Sequence, residues 1–477
     1  VSYILEGTIL WDKTGDTDRV RIIPQLIQVS DDRHLWSESY QRELTQIFAL
    51  QAEIAISIAN QLKVTLLPQE RDDLAAKPTE NLEAYDFYLR GNEYWYQTSG
   101  GRDEAPIRHA KKLYEQALNS DPTYVPALAR LAHTQIELYW HTTADSTDLN
   151  EAWRYIWQAL KFDSNSVEAR IALGSYYYHD NKYDKALVEF FRALERQPHN
   201  SFVLMEIGYV YWRRGNFEDG AKYHRLAAEF NPLGGVHVAN VAWSLAMLRR
   251  FDEAEKTLYE AIALTPDFPQ AYANLSWLIV IRDGDLKRAR KIISDAEQIV
   301  TPNFRFYYTG FLEAAWDGDF RSALRYSDLL RAFDDDEEYH LRMAYIYRLQ
   351  NKRELERAQA DSAYAILKEG AGQIARTGFY NEMLGLALAI MGRFEEAIEH
   401  GKKGVDLEII WYDRNVRRLT LAWIYLESGD EDASLDILEK ILSMLSRETT
   451  KSIQLDPLFK PLHDHPRFKA LMKKYET

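Results

Sequence analysis

Residues 169–198 read ARIALGSYYYHDNKYDKALVEFFRALERQP, residues 203–232 read VLMEIGYVYWRRGNFEDGAKYHRLAAEFNP, and residues 237–266 read HVANVAWSLAMLRRFDEAEKTLYEAIALTP. Laid over one another at a spacing of 34, they carry one signature. Leu173, Gly174, Tyr177, Ala186, Phe190, Ala193 and Pro198 recur as Ile207, Gly208, Tyr211, Gly220, His224, Ala227 and Pro232. They recur again as Val241, Ala242, Leu245, Ala254, Leu258, Ala261 and Pro266. A fixed period of this length means stacked repeats, whose function lies in a long shared surface rather than in one pocket.

The pattern has a steric cause. Small residues at the eighth, twentieth and twenty-seventh positions let paired helices and neighbouring repeats approach closely, while bulky residues at the seventh, eleventh and twenty-fourth fill the space between them. The turns fall at Asn181, Gly215, Arg249, Gly318, Gly392 and Gly429, where Gly or Asn favours positive φ. Pro198, Pro232 and Pro266 close each second helix. Upstream copies carry Ala110, Tyr114, Ala117, Pro122 and then Leu131, Ala132, Ala152, Ile156, Ala159, with Trp140–Asn150 as an insertion between two helices. Downstream copies carry Leu275, Ser276, Ala289, Ile293, Ala296, then Gly318, Phe320, Ala323, then Leu384, Gly385, Gly392, Phe394, Ala397, and finally Leu421, Ala422, Gly429, Ala433. Arg342–Leu367 is a degenerate copy. This pattern resembles the tetratricopeptide (TPR) repeat. The resemblance covers residues 84–445 in about nine or ten repeats and implies a mostly α chain, an α-solenoid of helix pairs wound into a right-handed superhelix.

Residues 1–67 fall outside the repeat. Ser2–Trp11 and Arg19–Val29 are β-rich, with Asp12–Asp18 as a hairpin turn, and Pro24 suggests an edge or a bulge. His34–Tyr40 adds a short strand, and a helix runs from Thr45 to Val64 on the stripe Ile47, Leu50, Ile54, Ile58, Leu62. Tyr3-Ile-Leu-Glu-Gly-Thr-Ile, Arg21-Ile-Ile-Pro-Gln-Leu-Ile, His34-Leu-Trp-Ser-Glu and Ile47-Phe-Ala-Leu-Gln-Ala-Glu-Ile resemble the second half of the TolB-amino-terminal-like (FlgO-like) module, a small α+β unit. Its opening βα unit is missing, so the expectation is a fragment of a longer chain. Residues 68–83 are a polar linker, and 446–477 a closing segment that covers the last repeat. If the module is cut before Ser2, an internal strand becomes an edge, which predicts a homodimer through residues 1–40.

Of the 477 residues, 46% are hydrophobic, enough for a large continuous core. No run of 18 apolar residues occurs, so no membrane span is expected, nor is a signal peptide visible. Cysteine is absent, which excludes disulfides and thiolate metal sites but leaves the compartment open; cytoplasmic is favoured over periplasmic. A net charge of −15 argues against nucleic acid as partner. The 30 Tyr and 12 Trp suit a contact surface.

Catalysis finds no support, and no cofactor or metal is expected. Phosphate-loop, nucleophile-elbow and zincin motifs are missing. His463-Asp464-His465 reads as a helix-entry turn before Pro466. Asp12–Asp18 lacks the glycine and bidentate Glu of a calcium loop. Asp334–Glu338 reads as a solvated inter-repeat loop.

The TPR resemblance implies a better candidate, the groove lined by each repeat's first helix. Carried onto this sequence, the groove positions are Arg130 and His133; Tyr178; Phe202, Met205, Tyr209 and Trp212; Asn240 and Trp243; and Gln270, Asn274 and Trp277. Aromatics alternating with amides would capture a protein or peptide ligand, the rings gripping side chains and the amides the backbone. The alternative is that the aromatics pack between neighbouring first helices. Glu206 has the wrong sign for the two-carboxylate clamp of chaperone-binding TPR domains. The expectation is a non-catalytic interaction scaffold of a bacterial signalling protein, or else a substrate-presenting region of a larger enzyme such as a nucleotide cyclase, kinase or glycosyltransferase.

Overall fold

In the computed structural model, the described residues are 3–12, 19–43, 46–62, 71, 74, 77, 79–96, 104–139, 146–370, 377–408 and 410–476. They form a short antiparallel sheet followed by helices in a TPR-like solenoid. Two compact units emerge: Val1–Gln97 with Arg108–Thr134 and Glu151–Ala169, and Thr98–Ile107 with Gln135–Asn150 and Arg170–Thr477.

In the first unit, strands β1 (Tyr3–Asp12), β2 (Arg19–Gln28), β3 (Arg33–Ser37) and β4 (Tyr40–Glu43) build one sheet with β2 at its centre. Three strands fall where periodicity places them; β4 was not anticipated. The expected hairpin turn at Asp12–Asp18 lies, after Asp12, outside the described residues. Of the edge or bulge expected at Pro24, the edge is corrected, and the register against β3 shifts between Leu26 and Ile27. Pro24 lies on the central strand, opposite Gly7 of β1, and on its other side the partner changes from β4, facing Arg19–Ile22, to β3, facing Gln25–Gln28. The missing N–H of Pro24 falls in that gap, where little ladder pairing is lost. Helix α1 (Ile47–Gln61) buries Ile47, Phe48 and Leu50 against Val20 and Tyr40.

In the second unit, helices pair as tight hairpins: residues 170–179 with Tyr183–Arg196, Ser201–Arg213 with Phe217–Phe230, Gly235–Met247 with Phe251–Leu264, Pro269–Asp283 with Leu286–Ala296. The hairpins continue to Glu431–Leu442. All six expected turn residues have positive φ, from 58° at Asn181 to 86° at Gly429. Gly284 and Asn351 join them, marking the turns of the offset and degenerate copies. The helices before Pro198, Pro232 and Pro266 end at Arg196, Phe230 and Leu264. The closing segment places Ile453, Phe459, Leu462, Phe468 and Leu471 in one core with Trp423, Leu435 and Leu438 of the last repeat. His465 caps helix Pro466–Lys474, as the helix-entry reading requires.

One surface reading is corrected. Asp334 is not solvated: its carboxylate is buried against the guanidinium of Arg342. Glu189, although it lies on the second helix of its pair, is only 6% exposed, because Arg170 and Arg192 close over it at 2.7 and 2.8 Å. Among the described residues no helix is long and apolar enough to cross a membrane.

Candidate functional site

The expected groove tryptophans lie on the first helices of three successive pairs: Trp212 on Ser201–Arg213, Trp243 on Gly235–Met247 and Trp277 on Pro269–Asp283. Of the twelve expected groove residues none is exposed. Arg130 and His133 belong to the first unit, where Trp95 takes the Arg130 guanidinium at 5.7 Å and the His133 ring at 4.9 Å. The other ten lie in the second unit. Tyr178 is buried beneath the Arg213 guanidinium, 4.0 Å from its ring centre, and burial raises its hydroxyl above the ordinary range. Tyr209 accepts a 2.7 Å hydrogen bond from Asn240, and Gln270 donates to Asn274 at 2.9 Å. Phe202, Met205, Trp212 and Trp243 are half-buried, and Arg305 stands 5.9 Å from the Trp243 ring. Trp277, 6% exposed, packs 5.6 Å from Trp316. Burial, with Glu137 adding, pushes the Glu206 carboxyl up to about 8.

What sequence reasoning missed is the occupant. The segment after the last repeat, Ser446 to Asp456, returns to the helices that carry these tryptophans. The Arg447 guanidinium lies 5.2 Å over the Trp277 ring. Arg249 donates to the Glu448 carbonyl at 2.7 Å, and Thr449 Oγ1 donates to the Ile281 carbonyl at 2.6 Å. Leu455 packs on the core shared by Trp212, Trp243 and Trp277. Thr449 and Ser452 form a capping box that starts helix Thr450–Leu455, so the backbone turns helical as it leaves Ile281. The crossing also explains Arg249 itself. Among the described residues it is the one non-Gly, non-Asn residue at a repeat turn, held at φ 61°, and its side chain reaches Glu448 from there. These contacts join residues 168 and 199 positions apart, and no local pattern signals them.

Among the described residues no group of three or more His, Asp or Glu is placed to hold a metal ion. What these helices offer is rings, amides and guanidinium groups in a row.

No family model matches the chain. A protein of Rhizobium meliloti (strain 1021) named "Putative adenylate cyclase 3" is 28% identical over 176 residues, 36% of this chain and 28% of that protein. "Inactive TPR repeat-containing thioredoxin TTL3" of Arabidopsis thaliana is 27% identical over 134 residues, 26% of this chain and 19% of that protein. The matches thus span about a quarter of these relatives' lengths. A tetratricopeptide repeat protein of Parabacteroides merdae ATCC 43184 is a structural neighbour with a TM-score of 0.40 and 16% identity, covering 58% of this chain and 99% of that one.

Proposed function

We propose that the chain is a non-catalytic protein-interaction scaffold that holds a segment of a partner protein on the inner face of its helical repeats. The observation that supports this reading is the seating of Arg447–Leu455 there: stacked on a tryptophan, bonded through backbone carbonyls and anchored by a leucine, as a peptide ligand would be. Trp212 and Trp243 stay half-open beside it. The test is selection of peptides from a displayed library against the full chain, followed by Trp212→Ala and Trp243→Ala. Loss of one true anchor costs at least about 2 kcal/mol, roughly thirtyfold in affinity. Normal binding by both folded variants would move the site off this face.

A second reading places the chain as the accessory region of a longer cytoplasmic signalling enzyme, with β1–β4 and α1 as the second half of a TolB-amino-terminal-like module. It is favoured by the likeness to a protein carrying an adenylate cyclase name. Sequencing the transcript upstream of the Val1 codon decides it: an open frame with a catalytic domain supports this reading, and a stop codon there ends it.

A further inference from the structure

Resting on the reading of the inner face as a peptide-binding surface, we infer that Arg447–Leu455 is its resident ligand, a clasp that an incoming segment must displace. Three features carry the inference. The clasp contacts the repeats through the groups a bound peptide would use, a basic side chain on Trp277, a carbonyl on Arg249, a hydroxyl on Ile281 and a leucine near Gly284. The fit is incomplete: the Trp277 Nε1–H, an Nη1–H of Arg249 and the Asn415 Nδ2–H are buried and meet no protein acceptor among the described residues. Asn415 lines a narrow cleft against Ser446, Arg447 and Glu448 of the clasp itself. Lastly, the Arg249 contact is made from a left-handed turn position that, among the described residues, the other repeats give to Gly or Asn.

Buried donors without acceptors oppose closure, since each has lost water and gained nothing. A partner that repeats the clasp pattern and adds carbonyl or carboxylate oxygens opposite Trp277, Arg249 and Asn415 would satisfy them. The partner class is therefore a segment extended at its basic and hydroxyl residues and helical from there to its leucine, in the spacing of Arg447, Thr449 and Leu455, flanked by acceptors. Because the clasp is tethered, it competes at high effective concentration, and the apparent affinity for any partner falls by the fraction of open molecules.

The test uses the full chain and a fluorescein-labelled peptide of residues 444–458 added in trans. Arg447→Ala with Leu455→Ala in the chain should loosen the clasp while leaving the surface intact. The labelled peptide is then expected to bind the double variant at least tenfold more tightly than the wild type, by anisotropy, and Trp277→Ala in that background should abolish the gain. A folded double variant that binds the peptide no better than wild type overturns the inference. If library-selected peptides still depend on Trp243, the groove reading survives that result; if they do not, both fall. Should the double variant not fold, hydrogen exchange on the wild type decides: faster exchange at 449–453 than in Pro269–Asp283 supports a displaceable clasp, and equal protection overturns it.

Discussion

One missing methyl group sets how closely the two helices of a repeat can lie. A Cβ built on Gly174 would stand 2.5 Å from the Phe190 ring, and one on Gly208 would stand 2.2 Å from the His224 ring. The His224 ring is buried and bonded to Ser244 at 3.0 Å, so it has nowhere to swing. Gly208→Ala is therefore expected to overpack the hairpin by about 1–3 kcal/mol, offset by at most about 1 kcal/mol of helix propensity. A thermal melt matching wild type would show that the ring yields. Glu313 offers a second test at this scale. Ser276 has one hydroxyl hydrogen, yet its oxygen lies 2.8 Å from the Ala289 carbonyl and 2.6 Å from Glu313 Oε1. The set closes if Glu313 keeps its own proton and donates it to Ser276, and burial pushes that carboxyl up to about 8. The folded chain then holds a proton that the unfolded chain loses near pH 4.5, so this stability is complete below about 4.5 and drains away as pH rises to about 8. Glu206 and Asp456 act with the same sign up to about 8 and 7, while His224, kept neutral down to about 3, costs stability below 6.5. Glu313→Gln isolates the first term. Its melting temperature should match wild type at pH 5 and exceed it at pH 8, and a constant difference across that range would refute a protonated Glu313.

Hairpins show which parts of this fold a sequence can reveal. Their turns, helix ends and small-to-large pairings repeat within 34 residues, so each copy corroborates the next. Strand β4 is invisible for the opposite reason: Tyr-Gln-Arg-Glu has one apolar residue, and only pairing with Arg19–Ile22 makes it a strand. Of the site, the sequence shows which helices carry the aromatics, Trp212, Trp243 and Trp277 among them. The clasp on top of them was illegible, because its partners lie more than 160 residues away. Glu189 fails more subtly. The repeat places it on an outer helix, but Arg170 of the inner helix reaches across and Arg192 one turn along closes the other side. Two variants compare packing with charge on this same hairpin. Ala193→Phe, at a position 1% exposed, should cost about 1–3 kcal/mol through overpacking. Glu189→Ala should cost about 1–3 kcal/mol through two lost charge-assisted bonds, discounted because both arginines reach solvent. If Glu189→Ala melts with wild type in low salt while Ala193→Phe does not, the ion triad contributes nothing.

At the scale of the whole molecule, the open question is what meets the outer edge of the sheet. β1 pairs with β2 on one side, and among the described residues no strand pairs with its other side. The strand is long and has no Lys, no Pro and no register shift against β2, which leaves Glu6 and Asp12 as its charged guards. The side chains of residues 3–10 stay open even on the covered face. Leu5 and Ile9 lie opposite Leu26 and Ile22, on the face that packs against α1, yet they are 52% and 54% exposed, because the helix covers β2 and β4 instead. A free backbone edge with apolar residues on both faces favours strand addition, and a second β1 running antiparallel satisfies it with two-fold symmetry, each copy giving and receiving the same bonds. The expected outcome is a dimer through residues 1–40, seen as twice the 55.6 kDa chain mass by light scattering at tens of micromolar. Replacing Leu5 and Ile9 together with Lys puts like charges on facing strands, where they repel, and should return the protein to the monomer mass without changing its helical circular dichroism. A wild-type monomer at that concentration would rule out the pairing, and a dimer that survives both lysines would place its interface away from β1.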